Sequence, residues 1–360
     1  TIVARNVLHF ASSKQLPITK AVIRRINAKK WFNAAVDACL FHVELGVGTP
    51  CYETPVYADL YTEQPQASVT VKNGQLISDT VRHEEVDFIE GESSLTWRQG
   101  IKHDAAPVME LTYQRDGSLI NKLGECVEVE ADYVFPLLKS SDLYNGKRPR
   151  KAIIVTQHYV GEDTKRIAEI APRLWAYLKA HESHFLQRKS SIYVDKPSFS
   201  IFGIGDYSFY PYKVAVAGLY KSVKFSALGP VDERPIMLDD TCYFVACFSA
   251  QQAAFLAALL EEPLCKKFIA AVIFTDAKRP VTKKLLQRID LLALVRHSNL
   301  DHVFDRANTE LRKISPSSSE LLDQSLAERY VETETTIDVE VPHRTLANVD
   351  EDIPNQLRLL

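Results

Sequence analysis

The chain has 360 residues, 46% hydrophobic and 25% charged, which allows two folded units with cores of their own. No stretch approaches the roughly 18 consecutive apolar residues of a membrane-spanning helix; "FLAALL" and "FIAAVIF" are short and flanked by charge. The formal net charge is only −3, but residues 139–224 hold fifteen Lys/Arg against seven Asp/Glu and residues 301–360 six against thirteen. A basic middle suits a surface that follows phosphates, although cations coating solvated helices give the same pattern.

The chain opens "TIVARNVLHF", without an initiator Met, a basic leader or a small-residue cleavage site, and is expected to be internal to a longer protein. A helical stretch closes at Pro17. Two β-rich runs follow, "ITKAVIRRI" and residues 36–45, the second so continuously apolar that it predicts a strand covered on both faces, as in a doubly wound sheet. Asn73-Gly74 predicts a hairpin between "ASVTV" and "QLISDT". From Trp97 the pattern is mixed, with a strand and turn in "VMELTYQRDG", a Pro-interrupted "DYVFPLLKSSDLY" and a basic loop "NGKRPRK" before the strand "AIIVTQ".

The longest helix is expected after the capping residues Glu162, Asp163 and Thr164, its pattern running past Trp175 and Phe185, with Pro172 ending or kinking it near its middle. Strands "FSIFGIG", "YKVAVAGLY" and "CYFVACF" and helices over 249–273 and 282–294 complete a second, α+β unit. Beyond residue 298 a helix gives way at "SPSSSE" to an acidic, weakly periodic tail suited to disorder or partner docking. The six cysteines lack paired CxxC spacing and are expected to be reduced, mostly buried thiols of a cytoplasmic protein.

Five phrases in order, "INAKKWFNAAVDACLF", "FPLLKSSDL", "SSIY" with "FSIFGIGDYSF" and "PYKVAVAGLYK", "LDDTCYF" and "FTDAKRP", resemble the C-terminal half of the TaqI-like, gamma-class DNA methyltransferases that modify adenine at N6. The resemblance covers about the first 300 residues. It implies an α/β remnant of an S-adenosylmethionine-dependent methyltransferase sheet over residues 1–95, an α+β target-recognition domain over 96–298 and an acidic, partly disordered tail over 299–360. Neither a Gly-rich donor turn nor an Asn-Pro-Pro-Tyr type motif occurs, so the donor is expected to bind a missing N-terminal half and this chain alone to be inactive.

The implied partner is double-stranded DNA, and the candidate contacts are loop cations, hydroxyls and phenols. "LLKSSDL" offers Lys139, Ser140 and Ser141, and "LQRKSSIY" offers Arg188, Lys189 and Ser190, which a solvated helix end explains equally well. "FGIGDYSF" is an incomplete GxGxxG with no helix start behind it; the better reading is a glycine-permitted bend displaying Tyr207, Tyr212 and Lys213. Lys278 and Arg279 sit at an element end, where an Asp276–Arg279 ion pair is favoured over DNA contact. Adjacent Asp239 and Asp240 cannot chelate as a pair, and His103 and His158 read as ordinary hydrogen-bonded or surface histidines, so no metal is expected. A non-enzymatic specificity subunit of a restriction-modification system, docking a catalytic subunit through the tail, stays open beside the methyltransferase reading.

Overall fold

The computed structural model describes residues 2–316 and residue 322, in which fourteen strands form three sheets bridged by short helices. The first sheet contains β1 (Ile18–Ile26), β2 (Ala38–Leu45), β3 (Thr54–Tyr57), β4 (Ala67–Lys72) and β5 (Gln75–Ile77) in the order β2-β1-β3-β4-β5. Inward Ile18, Ala21 and Ile23 of β1 share a core with Ala4, Leu8 and Ala11 of the helix Ile2–Ser13. β1 is antiparallel to β2, with Ile23 opposite Phe41, and parallel to β3, with Ile23 opposite Val56. The strand expected to be covered on both faces is therefore an edge strand, and Val36, Leu40 and Leu45 are more than half exposed. An apolar run is compatible with burial but does not specify what supplies the cover. The hairpin of β4 and β5 forms as expected, with Asn73 at φ 50° and Gly74 at φ 72°.

The remaining strands are β6 (Arg98–Gln99), β7 (Glu110–Tyr113), β8 (Leu119–Ile120), β9 (Val134–Leu138), β10 (Lys151–Ile154), β11 (Tyr212–Ala217), β12 (Phe225–Leu228), β13 (Met237–Leu238) and β14 (Cys242–Cys247). They build one sheet ordered β13-β9-β10-β7-β8 and another ordered β12-β11-β14-β6. β11 and β14 are nearly continuous apolar runs because both of their faces are covered. Val214 and Val216 join the large core with the helices Ala250–Leu260 and Pro263–Val272, while Ala215 and Ala217 join a smaller core with Leu138 and Leu143. Alternate side chains of one strand thus fill two different cores.

Where one long helix is expected after residue 162, the chain makes a 3-10 turn, Thr164–Arg166, and three short helices, Ile167–Ile170, Pro172–Ala180 and Glu182–Leu186. Pro172 occupies the first helical position, where its missing N–H costs nothing, and the Glu130 carboxylate accepts from the N–H groups of Arg173 and Leu174 at 3.0 and 2.8 Å. Of the two outcomes expected at Pro172, an end and a kink, the chain takes the end, and these contacts start a new helix. "FSIFGIG" is irregular apart from a bridge between Phe202 and Lys102.

The helix Leu300–Ile314 belongs to the large core, not to a tail. Val303, Phe304, Ala307 and Leu311 recur at helical spacing and all lie buried there, with Phe304 at 5.6 Å from Phe255. Val303, Phe304 and Leu311 each contribute about 1.5–3 kcal/mol, far above what an exposed helix of this length retains alone. The rest of the expected tail, residues 317–321 and 323–360, lies outside the described residues. Val86, Ile89, Leu95 and Trp97 share the same core, so the expected division at residue 95 falls within a packed cluster. Trp97 is fully buried 6.0 Å from Phe225, Trp175 meets Phe199 edge-on at 5.6 Å beside a fourth core, and Trp31 is 54% exposed. Of the six cysteines, Cys242, Cys247 and Cys265 are buried, and burial pushes their thiols up; Cys51 and Cys126 are exposed, against expectation.

Candidate nucleic-acid interface

Segments far apart in sequence meet at the tight turn of residues 239–241, which leads into β14. From one side Ser140 Oγ donates to the Thr241 carbonyl (2.7 Å), and Lys139 Nζ lies 3.5 Å from Asp239 Oδ2. From the other side Gln99 Nε2 and Arg279 Nη1 both donate to the Asp240 carbonyl, at 2.6 and 2.7 Å, and Arg279 Nη2 reaches Asp240 Oδ2 at 2.9 Å. Asp239 Oδ1 accepts from the Thr241 N–H (3.1 Å) and from its hydroxyl, so the adjacent carboxylates serve different partners.

Two glycines complete the junction. A Cβ at Gly100 would lie 2.2 Å from the Asp239 carbonyl oxygen, and one at Gly203, whose φ is +68°, would lie 2.4 Å from the Gly100 oxygen. Only glycine lets these backbones stack on the turn. "FGIG" is therefore a packing device.

Behind the turn, Glu110 is buried among three lysines and a histidine. Its carboxylate lies 2.7 Å from Lys139, 2.8 Å from Lys122, 3.5 Å from Lys151 and 3.5 Å from His103. Burial pushes its pKa up, but hydrogen bonds from His103, Lys122 and Lys139 and the Lys139 charge outweigh it and hold the carboxyl well below the usual range. Burial opposes charge on Lys139 as well; the hydrogen bond and charge of Glu110 overcome it and raise the lysine. Arg279 is raised in the same way by Asp240.

Other cations surround this ion-paired base. Arg98 is exposed, with its guanidinium 4.7 Å from the centre of the half-buried Tyr207 ring. Lys102 Nζ lies 3.6 Å from Asp104 and 3.5 Å from Ser190 Oγ. Arg188 donates to the Ser200 carbonyl (2.6 Å) and the His103 carbonyl (3.3 Å) and lies 3.7 Å over the Tyr193 ring. Ser141, Lys189 and Lys278 are exposed, and neither lysine has an ion-pair partner among the described residues.

The fold thus gathers Lys139, Ser140 and Arg279 at one turn, with Tyr207 against Arg98 and Phe244 and with Arg188, Lys189 and Ser190 on the adjoining loop. It separates others. Lys213 is 1% exposed, because β11 is covered on both faces; its Nζ donates to the Tyr210 carbonyl (2.6 Å), and desolvation brings its pKa down to about 7. It cannot reach DNA from there, and Tyr212 beside it packs on the large core. Ser140 is likewise buried. The expected Asp276–Arg279 pair does not form: Asp276 binds Arg5 at 2.5 Å. His103 is a buried histidine that accepts from the Ala105 N–H, and His158 is exposed. Sequence reasoning missed Arg98 and Gln99, whose one local signal is the glycine that follows them.

Gly46 and Gly48 follow β2, but the chain runs on to β3 with no helix start, and Gly46 packs on Thr19. A cavity of about 190 Å³ between the first sheet and residues 270–276 is bordered by the Arg5–Asp276 ion pair. No cluster of three His, Cys, Asp or Glu side chains suited to a metal occurs among the described residues, and none of the described helices is long and apolar enough to cross a membrane.

No protein-family model matches the chain. It is similar, over most of its length, to a Type II methyltransferase. The relative is M.NspV of Nostoc sp., 38% identical over 300 residues, which are 82% of this chain and 62% of the relative. Among solved structures, the Type IIL restriction-modification enzyme MmeI in complex with DNA aligns with a TM-score of 0.44 at 10% identity, over 91% of this chain and 47% of MmeI.

Proposed function

We propose that this chain is the DNA-recognition part of a site-specific DNA methyltransferase of a restriction-modification system. The parent protein would transfer a methyl group from S-adenosylmethionine to the N6 amino group of adenine in duplex DNA. The observation that carries the reading is the 38% identity to a Type II methyltransferase over 300 residues. On this reading, β1 to β5 close the catalytic sheet, and the surface around residues 239–241 faces the duplex. Lys139, Ser140, Arg188 and Arg279, held by internal partners, set the shape of that surface. Exposed Arg98, Ser141, Lys189 and Lys278, with Ser190 and the Tyr207 ring, supply cations and hydrogen-bonding groups to phosphates and base edges.

Anisotropy titration of labelled duplexes of varied sequence, repeated over KCl concentration, tests the proposal. Affinity is expected to fall linearly on a log–log plot, with about 0.9 added to the slope per phosphate neutralised, and to differ between sequences. Indifference to both salt and sequence would sink it. Calorimetry with S-adenosylmethionine is expected to give no binding isotherm for these residues alone; a clear isotherm would overturn the recognition-only assignment.

A further inference from the structure

We infer that the loop at residues 145–150 and the loop between β11 and β12 form one phosphate-binding surface, which extends the DNA interface beyond the 239–241 turn. The inference rests on the DNA-recognition reading above. Tyr144 and Tyr220 come from segments 76 residues apart, yet their rings stack with 3.8 Å between centroids and 3° between planes. The Tyr144 hydroxyl hydrogen-bonds Ser222 Oγ, and Lys224 Nζ donates to the Tyr144 carbonyl at 3.4 Å. Gly146, at φ +62°, turns the chain immediately after this stack, and a Cβ there would sit 3.6 Å from Lys224 Nζ. Two loops that would otherwise move separately are thereby pinned together.

What the pinned loops present is positive charge. Lys147, Arg148, Lys221 and Lys224 are exposed, and Lys147, Arg148 and Lys221 have no carboxylate partner among the described residues; the one ion pair in the loop joins Arg150 to Asp142 at 2.9 Å. The surface adjoins the candidate interface. The segment that ends in Tyr144 begins at Ser140, bonded to Thr241, and β11 ends where the Gly218 N–H donates to the same Thr241 carbonyl at 2.8 Å. Cations carried on two loops pinned to each other lose less backbone freedom on meeting the regularly charged backbone of duplex DNA than cations on separately moving loops.

The test uses the full chain and a labelled 20-base-pair duplex in KCl titrations. The triple variant Lys147→Gln, Arg148→Gln, Lys221→Gln is expected to flatten the log–log salt slope by about 2 to 3 and to weaken binding on all sequences alike. Tyr220→Leu, which keeps the cations but loses the stack, is expected to weaken binding a few-fold with the slope unchanged. A triple variant that melts like the parent chain and keeps the parent slope overturns the inference while leaving the DNA-recognition reading intact. A parent chain that binds no duplex at any salt sinks both.

Discussion

The first sheet and the region around residues 239–241 use apolar sequence in opposite ways. Thirteen of the twenty-two large hydrophobic side chains that are exposed among the described residues fall within residues 2–81, including Val3, Phe10, Trp31, Leu40 and Val47. Around the turn, by contrast, apolar strands are covered on both faces, glycines admit backbone-to-backbone contact, and the buried carboxylate of Glu110 is matched by cations. One region has surface left to cover; the other is closed and tolerates little change. These side chains leave the first sheet with apolar surface that the catalytic unit of the proposed parent protein would cover.

Substitution should separate the two regions sharply. Gly100→Ala places a Cβ against two backbone carbonyls that cannot withdraw and is expected to destabilise by about 4 kcal/mol or more, seen as loss of cooperative thermal unfolding or of folded yield. A normal melt would mean that the turn is less rigid than it is drawn. Glu110→Gln, which leaves the surrounding cations without their carboxylate, is expected to lose about 3 kcal/mol in urea unfolding at pH 7. Because the folded-state pKa of Glu110 lies below its ordinary 4.5, its contribution is complete above that value and fades as the pH falls below it; the variant should show a flatter acid limb than the parent. Identical acid limbs would remove Glu110 as the cause.

Lys213→Met is expected to stabilise the chain by about 1 kcal/mol at pH 7, since the buried amine has almost no compensation beyond one carbonyl. With the folded pKa near 7 against an ordinary 10.5, the unfolded chain binds the extra proton between those values, so the parent gains stability as pH rises across that window and the variant does not. Urea midpoints at pH 7 and pH 9 check both signs. The smallest effect belongs to the first sheet: Leu40→Ser on the edge strand β2 should change stability by no more than about 0.5 kcal/mol, and a loss above about 1.5 kcal/mol would show that this face is already packed.

What the sequence revealed divides along the same physical line. β1, β11, β14 and the Asn73-Gly74 hairpin were readable because period and turn chemistry are local properties. The break at Pro172 was readable as a position but not as a helix start, because the groups that satisfy its N–H donors come from Glu130. Arg279 and Asp276 sit three residues apart, yet each pairs with a group far away in the chain, so proximity in sequence misassigned them. The candidate site was legible as a set of phrases and illegible as a place: the turn at 239–241 exists only once Ser140, Gln99, Gly203 and Arg279 arrive from four other segments. Lys213 was misread because the strand holding it has no polar face to signal which side is covered.

The three tryptophans divide the described structure optically. Trp31 stands in water on the first sheet, Trp97 is sealed in the large core, and Trp175 lies against Phe199 in the core that carries Glu110's sheet. Exposed and buried indoles differ in emission wavelength and in access to soluble quenchers, so iodide quenching reads the first sheet mainly through Trp31, the most exposed of the three, and covering that surface with another protein unit would reduce it without any added label.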